Sequence, residues 1–330
     1  MPFRTFFSST NFINYYSQTN QKLKLVDALL PLVVSLIRLR FSTTLYLIRF
    51  IKISKIEENT RENAVYSPPI ELLVVCGPKD ISILPLCIGS VLQFSSNPIS
   101  QIAIVARAQN VELVEKQIKD INTLGKSQIS IISEDDFIPF NVRSRLRDKF
   151  EKRFGWILQQ IIKVKYASES QSMAVLVIDA DTVLLQPLRG IDANGNQHFS
   201  YSPEMHKSYM EFLKNIKVPA KQPHFSTVTH HMIFQPAIMR ELLVEIGTED
   251  LNRLAEKILE FISDTDGSPV SIDYEMYGQF FRSRYSEIID YRMFSNLSVR
   301  RSPEVFQEVE EILKGEVTSS FRSFSFHGYL

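Results

Sequence analysis

The feature that most constrains this fold is a continuous apolar run at residues 174–178, which leads directly into Asp179. A β-branched-rich run of this length is typical of a strand buried on both faces, as in a parallel sheet. Such sheets bind ligands beyond the carboxyl ends of their strands. Asp179 and Asp181 come at this strand end, and alternation along the chain turns both carboxylates the same way. We therefore expect a functional site there.

The two carboxylates predict a divalent cation. They repel each other at one strand end unless a cation lies between them. Carboxylate oxygens suit Mg²⁺ or Mn²⁺, which commonly bridge to the phosphates of a substrate. We predict that Asp179 and Asp181 are metal ligands. Two turn carboxylates in contact with solvent are the simpler alternative.

The order of the preceding elements predicts an α/β fold. Strands are predicted at 70–75, 102–105 and 129–132, and helices at 80–94, 111–121 and 143–166. Strands that alternate with helices favour a parallel sheet with right-handed crossovers. A polar stretch at 57–69 ends in Pro68 and Pro69 and is predicted to be the linker into a main domain at 70–330.

Residues 1–56 form a basic segment that also contains apolar and aromatic residues. This segment contains eight Lys or Arg residues and one acidic residue, Asp27, in a chain whose net charge is zero. Its longest uncharged run, residues 28–37, is too short to cross ~30 Å of hydrocarbon. A basic amphipathic helix of this kind is typical of a membrane surface, here the inner face. Packing on the main domain or on a second subunit is the alternative.

Charge and cysteine content exclude some classes of protein. The 37 basic and 37 acidic residues give a net charge of zero, so the chain lacks the overall positive charge that is typical of nucleic-acid-binding proteins. Cys76 and Cys87 are the only cysteines, which favours reduced thiols and a cytoplasmic protein over a disulfide scaffold.

Three further patterns carry polar side chains that can form a site. Trp156, Gln160 and Lys163 share one face of the helix before residue 174. His230 and His231 enter an apolar strand, where adjacent residues point to opposite faces, so only one of them can face a site. Ser271 is a predicted N-cap that places acidic residues in the first turns of a helix.

A hydrophobic strand that ends in Asp179-Ala-Asp181 resembles the metal and nucleotide-sugar motif of GT-A glycosyltransferases. The resemblance extends over about residues 70–300. It implies a Rossmann-related mixed sheet flanked by helices, with a nucleotide-binding half at 70–185 and an acceptor half at 186–330. It also implies transfer of a sugar from a nucleotide-sugar donor to a glycan or lipid-linked acceptor, as in cell-surface glycan synthesis, with Mn²⁺ or Mg²⁺.

The same resemblance implies roles for individual residues. The loop after the first strand would lie under the nucleotide, and the Trp156 face of the helix would meet the donor, with Lys163 near the diphosphate. A late His followed by Gly would supply a third metal ligand, and a carboxylate near residue 273 would accept the proton of the attacking hydroxyl. The implied donor-site residues are Cys76, Lys79, Asp80, Trp156, Gln160, Lys163 and Asp179. The implied metal ligands are Asp179, Asp181 and His327, and the implied catalytic residues are Asp273, Glu275 and His231, which is preferred to His230.

Two alternatives to a glycosyltransferase remain. Residues 179–182 also resemble the Asp-x-Asp motif of haloacid-dehalogenase-like phosphatases, which is followed by Thr. In those enzymes the motif usually opens the domain, whereas three strand-and-helix units precede Asp179 here. The other alternative is a membrane-surface or assembly protein that keeps the fold without turnover.

Overall fold

The computed structural model describes most of the main domain and none of the basic amino-terminal segment. The described residues are 67–121, 123, 125, 127–202, 206–220, 226–262, 271–286, 289–293 and 295–327. The predicted helical segment at 1–56 and the linker up to residue 66 lie outside them.

Strands and helices alternate through the first half of the domain and become less regular in the second. The strands are β1 Ile70–Cys76, β2 Ile99–Ala106, β3 Gln128–Ser133, β4 Val175–Asp179, β5 Thr182–Leu184, β6 Gln197–Tyr201, β7 His231–Phe234, β8 Ile289–Met293, β9 Asn296–Val299 and β10 Ser323–Phe326. The α-helices are α1 Leu84–Phe94, α2 Val111–Ile118, α3 Phe140–Phe150, α4 Phe154–Glu169, α5 Lys207–Asn215, α6 Pro236–Glu245, α7 Leu251–Phe261, α8 Tyr274–Arg284 and α9 Pro303–Leu313.

The central sheet is mostly parallel, which confirms the predicted fold class. Its strand order is β3-β2-β1-β4-β7. The first four strands are parallel, and β7 joins the edge antiparallel to β4. Val75 of β1 lies opposite Asp179 of β4, so the carboxyl ends of these two strands are level.

Both faces of the sheet are buried, as the continuous apolar run predicted. Val175 and Val177 pack on one side in a core that includes residues of α3, α4, α6, α7 and α8. Leu176 and Ile178 pack on the other side with residues of α1 and α2. Alternate side chains of β4 thus pack in two separate cores, and Asp179 at the carboxyl end of the strand lies at the edge of the sheet.

A smaller sheet brings the end of the described chain back to β4. Its strand order is β5-β10-β9, with β10 antiparallel to β5 and parallel to β9. Phe324 and Phe326 of β10 are buried in a third core, where the Phe326 ring stacks on Phe306 at a centroid distance of 5.0 Å. β5 follows β4 after a two-residue turn that contains Asp181, and β10 pairs with β5. The end of β10 therefore lies beside Asp181, whose carbonyl accepts a hydrogen bond from the Phe326 N–H.

Two predicted helices differ from the structure. The single helix expected at 143–166 is two helices, because Glu151 has a φ of 32° and interrupts the hydrogen-bond pattern between α3 and α4. The helix predicted at 80–94 begins later, because Asp80 ends a short 3₁₀ turn, Pro78–Asp80, and α1 begins only at Leu84.

Within the described part of the chain, no helix has both the length and the apolar character that crossing a membrane requires.

Candidate functional site

A cavity lies at the topological switch point of the central sheet. From β1 the chain continues to β2 and β3 on one side, and it returns through α4 to β4 on the other side. Diverging connections leave a crevice at the carboxyl ends of two such strands, and α/β proteins bind ligands there. A cavity of about 290 Å³ occupies this place, between the loop after β1 and the turn after β4.

Most of the site residues predicted from the sequence line this cavity. Those that line it are Lys79, Asp80, Trp156, Gln160, Lys163, Asp179, Asp181, Asp273 and His327. Cys76, His231 and Glu275 do not, although each is buried within the same domain. Gln159, Tyr209, Val228, His230, Ser271 and Tyr274 also line the cavity and were not among the predicted site residues.

Asp179 is the centre of a hydrogen-bonded cluster. Its Oδ1 atom accepts hydrogen bonds from Lys163 Nζ at 2.6 Å and from the Tyr274 hydroxyl at 3.0 Å. Its Oδ2 atom lies 3.2 Å from Nδ1 of His230. The backbone N–H of Asp179 also donates to the His230 carbonyl at 2.8 Å. Both carboxylate oxygens of Asp179 are therefore engaged within the protein.

Lys163 supplies the positive charge that Asp179 requires. Lys163 is 5% exposed, and its ammonium also lies 3.1 Å from Asp273 Oδ2. Burial acts to lower the pKa of Lys163, but the negative charge of Asp179, reinforced by Asp273, outweighs burial and holds this pKa well above its usual value. Burial likewise acts to raise the pKa of Asp179, but Lys163 and His230 hold it well below its usual range.

Asp181 faces the carboxyl-terminal strand. Its Oδ2 atom lies 3.4 Å from Nδ1 of His327, and its backbone carbonyl accepts a hydrogen bond from the Phe326 N–H at 2.8 Å. The ring of His327 lies 5.6 Å from that of His230, measured between centroids. The second carboxylate of the pair thus has one imidazole beside it, whereas the first has both an imidazole and an ammonium.

The preference for His231 over His230 is corrected by the structure. His231 is the first residue of β7, is 4% exposed and has its Nε2 atom 3.1 Å from the Ser200 hydroxyl. Burial, together with the charge of His230, lowers the pKa of His231 to about 4. His230 precedes the strand with a φ of 62°, and this left-handed backbone turns its side chain toward Asp179. As expected, only one histidine of the pair faces the cavity.

Asp273 and Glu275 have different surroundings at the start of α8. Asp273, not Ser271, is the N-cap: its Oδ1 atom accepts hydrogen bonds from the Tyr274 N–H at 2.7 Å and the Ser271 hydroxyl at 3.2 Å. Its other oxygen faces Lys163, and Asp273 forms part of the cavity wall.

Glu275 lies away from the cavity and anchors a loop. It is fully buried and accepts hydrogen bonds from the Ser226 hydroxyl at 2.5 Å, the Thr227 N–H at 3.0 Å and the Gln279 amide at 2.6 Å. Burial raises the pKa of Glu275, and these hydrogen bonds offset part of the shift. Because its carboxylate holds the loop that leads to His230, Glu275 does not fit the catalytic role predicted for it.

Some residues on the polar face of α4 hold neighbouring elements together, and others are exposed to the cavity. Gln160 accepts a hydrogen bond from the Ile272 N–H at 2.6 Å and is 3% exposed, so it ties α4 to the start of α8. Trp156 is 38% exposed at the cavity, with the Arg153 guanidinium 5.2 Å from its ring centroid. Gln159, one residue before Gln160, is the glutamine with the more exposed side chain at the cavity.

The loop after β1 forms the opposite wall. Lys79 is exposed there, whereas Asp80 is 5% exposed and pairs with Arg301 at 2.5 Å. Burial raises the pKa of Asp80, Asp181 raises it further, and the hydrogen bond from Arg301 offsets part of the shift. Burial raises the pKa of Cys76 to about 12, so its thiol is neutral and packs in the core.

Asp181 and His327 suit a divalent cation that is also coordinated by oxygens of a bound ligand. They fit a cation held entirely by side chains less well. Among the described residues, no group of three or more His, Cys, Asp or Glu side chains is arranged to hold a metal ion. Asp181 and His327 form a pair that suits Mg²⁺ or Mn²⁺, ions often held by one or two side chains together with substrate phosphates. Asp179 fits a ligand role poorly, because Lys163, Tyr274 and His230 engage both of its oxygens.

Fold and site together define an α/β protein with a cavity lined by charged side chains at a topological switch point. Residues 79–291, more than half of the chain, match the family described as "Family of unknown function (DUF6492)". The chain belongs to this family.

No curated protein matches the chain. Among solved structures, the apo form of mouse xyloside xylosyltransferase 1 is similar, with 11% sequence identity and a TM-score of 0.42. That similarity covers 79% of this chain and 98% of that chain.

Proposed function

We propose that this protein is a metal-dependent glycosyltransferase with a GT-A-like fold, which moves a sugar from a nucleotide-sugar to an acceptor hydroxyl. The observation that supports the proposal is the position of the Asp179–Asp181 turn. It lies at the carboxyl end of β4, at a topological switch point, in a cavity lined by acidic, basic and aromatic side chains. Nucleotide ligands bind at this place in doubly wound α/β folds.

Asp181 and His327 are the residues that would hold the cation. When bound, the cation neutralises negative charge on the diphosphate as the nucleotide leaves. Lys79 is exposed at the same wall and suits a point-charge contact with a phosphate. Lys163 was predicted to lie near the diphosphate. Because its ammonium is already held by Asp179 and Asp273, we assign it a structural role in the cavity wall instead.

Asp179 holds the elements that form the cavity in place. Its hydrogen bonds join α4 through Lys163, α8 through Tyr274 and the turn before β7 through His230. A site held by packed side chains and hydrogen bonds is preorganised, which matters when reacting atoms must be placed within a fraction of an ångström.

The reaction breaks the bond between the anomeric carbon and the diphosphate oxygen, and the nucleoside diphosphate leaves with the electron pair. The acceptor oxygen forms the new bond to the anomeric carbon. Its proton passes to a base on the protein, and Asp273 is the candidate because it lines the same cavity as Asp181. Trp156, exposed at the cavity, offers an aromatic face on which a sugar or base can stack.

The acceptor is proposed to be a glycan or a lipid-linked glycan. The basic segment at 1–56 would then hold a cytoplasmic protein on the inner membrane surface, near lipid-linked acceptors.

A donor screen tests the proposal directly. The full chain is mixed with each member of a panel of nucleotide-sugars, with and without Mn²⁺, and thermal stability and release of nucleoside diphosphate are measured. A matching donor at about 100 times its Kd is expected to add about 2.7 kcal/mol of stability. Nucleotide release that depends on Mn²⁺ and on an added acceptor would support transfer. Binding without turnover would favour an assembly protein, and phosphate release from a phosphomonoester without a sugar donor would favour a phosphatase.

A further inference from the structure

Arg301 contacts two separate segments of the cavity wall. It lies beyond the family-matched residues 79–291, two residues after the end of β9. Its Nη2 atom donates to Asp80 Oδ1 at 2.5 Å, and Nη1 donates to the Lys79 carbonyl. Arg301 therefore fastens the loop that follows β1.

The same guanidinium holds the end of the carboxyl-terminal strand. Nε and Nη2 of Arg301 donate to the Phe326 carbonyl at 3.2 Å and 3.0 Å. The Phe326 N–H in turn donates to the Asp181 carbonyl, and the next residue is His327. The backbone from which His327 projects is thus pinned on one side by Arg301 and on the other by the Asp181 turn.

These contacts require the shape of an arginine. Three guanidinium nitrogens donate to the carbonyls of Lys79 and Phe326 and to the carboxylate of Asp80, so Arg301 joins two segments that are far apart in sequence. Lysine carries its donors on one nitrogen atom and cannot span such a set. Arg301 also supplies positive charge beside Asp80, which is buried near the negative charge of Asp181.

We propose that Arg301 is a positioning residue for the cation site formed by Asp181 and His327. It holds the Phe326 backbone, which also bonds to the Asp181 carbonyl and from which His327 follows, and so sets the separation of these two side chains. The inference rests on the proposed function, because it needs a cation at this pair. It extends the site beyond the family-matched residues to an arginine that is not among the residues lining the cavity.

Mn²⁺ binding to the full chain tests this role without any need for turnover. Free Mn²⁺ is followed by electron paramagnetic resonance with the parent, Arg301→Lys and Arg301→Met. Arg300→Lys is the matched control, since Arg300 is the adjacent arginine with an exposed side chain. We expect both Arg301 variants to bind Mn²⁺ about 10- to 100-fold more weakly, as is typical when an outer contact of a metal site is removed. Arg300→Lys is expected to bind like the parent.

A second measurement separates positioning from loss of fold. Thermal unfolding and circular dichroism are recorded for each variant, and Arg301→Lys is the informative one if Arg301→Met is poorly folded. A folded Arg301→Lys with weakened Mn²⁺ binding supports the inference. A folded Arg301→Lys with the parent's Kd overturns it and leaves the proposed function intact. A parent protein that binds no Mn²⁺ overturns both the metal part of the proposed function and this inference.

Discussion

The ammonium group of Lys163 joins three elements around the cavity at the scale of single residues. It extends from α4 to Asp179 at the end of β4 and to Asp273 at the start of α8. Removing one member of a buried ion pair leaves the other charge uncompensated, which usually costs more than the pair itself contributes. Lys163 is therefore the residue whose loss is expected to damage the site and the fold together.

Lys163→Met is expected to lower the free energy of unfolding by about 3–5 kcal/mol, because Asp273 is left buried without its partner. Lys165→Met is the control: this lysine lies on the same helix and pairs with Glu169 near the surface. Its loss is expected to cost less than about 1 kcal/mol. Denaturant titration of both variants measures the difference, and equal costs would contradict a structural role for the buried ammonium.

The cost of Lys163→Met is expected to depend on pH. The pKa of Asp179 is lowered in the folded protein, so its ion pair contributes fully above the unfolded carboxyl pKa of about 3.9. That contribution is lost as pH falls through the lower, folded pKa. Denaturant titrations of parent and variant from pH 7 downward are expected to converge in strong acid, and a constant difference would contradict the assignment.

Asp273→Asn tests the proposed base. Asparagine can still cap α8, so the fold is expected to persist. If Asp273 accepts the acceptor's proton, kcat is expected to fall roughly 10²–10⁴-fold, with donor binding little changed. Glu275→Gln is the control, because Glu275 lies outside the cavity and is expected to affect stability more than kcat. A rise in the acceptor KM without a fall in kcat would instead assign Asp273 to acceptor binding.

At the scale of elements, α8 is held against the loop before β7 by close contact at Gly278. A Cβ atom added to Gly278 would lie 2.2 Å from the Thr227 hydroxyl and 2.6 Å from the Thr227 Cβ. Thr227 also donates to the Tyr274 carbonyl, so it cannot move away freely. The glycine allows α8 to approach the loop that leads to His230.

Gly278→Ala is expected to destabilise the protein by about 1–3 kcal/mol, since it overpacks a buried contact. Gly89→Ala in α1 is the matched control, because an added Cβ there meets nothing within 4 Å. That change is expected to stabilise the protein by about 0.4–1 kcal/mol through the unfolded chain. Chemical denaturation of both variants gives the signs, and a neutral Gly278→Ala would contradict the packing described here.

The sequence predicted elements with strong apolar patterns better than it predicted contacts between distant residues. The run at 174–178 correctly indicated a strand buried on both faces, with Asp179 at its end. The choice between His230 and His231 depended on the backbone of one residue before β7, which no periodicity encodes. Arg301 gave no signal at all, because its partners lie more than 200 residues away at Asp80 and 25 residues away at Phe326.

At the scale of the whole molecule, the site depends on parts of the chain that are distant in sequence. The loop after β1, the helix before β4, the start of α8 and the end of β10 all reach one cavity. The amino-terminal segment lies outside the described residues, and its role remains a prediction from charge and composition.

Deletion of residues 1–56 is expected to leave a folded domain that binds anionic vesicles more weakly. Each basic residue near an anionic surface contributes about 1 kcal/mol, and salt screens this attraction. The loss is therefore expected to be large at low ionic strength and small at high ionic strength in vesicle co-sedimentation. Equal binding by both proteins would remove the membrane-surface prediction, and an insoluble truncated protein would favour a segment that packs on the main domain.

Metal-dependent donor binding by Asp181→Asn tests the central claim most directly. Calorimetric titration of a nucleotide-sugar found in the screen, with and without Mn²⁺, is compared for the parent, Asp181→Asn and the exposed-site control Asp148→Asn. We expect the parent and Asp148→Asn to bind the donor more tightly with Mn²⁺, and Asp181→Asn to lose this enhancement while it keeps its fold. Donor binding by Asp181→Asn with the parent's Kd and the parent's dependence on Mn²⁺ would contradict the proposed site.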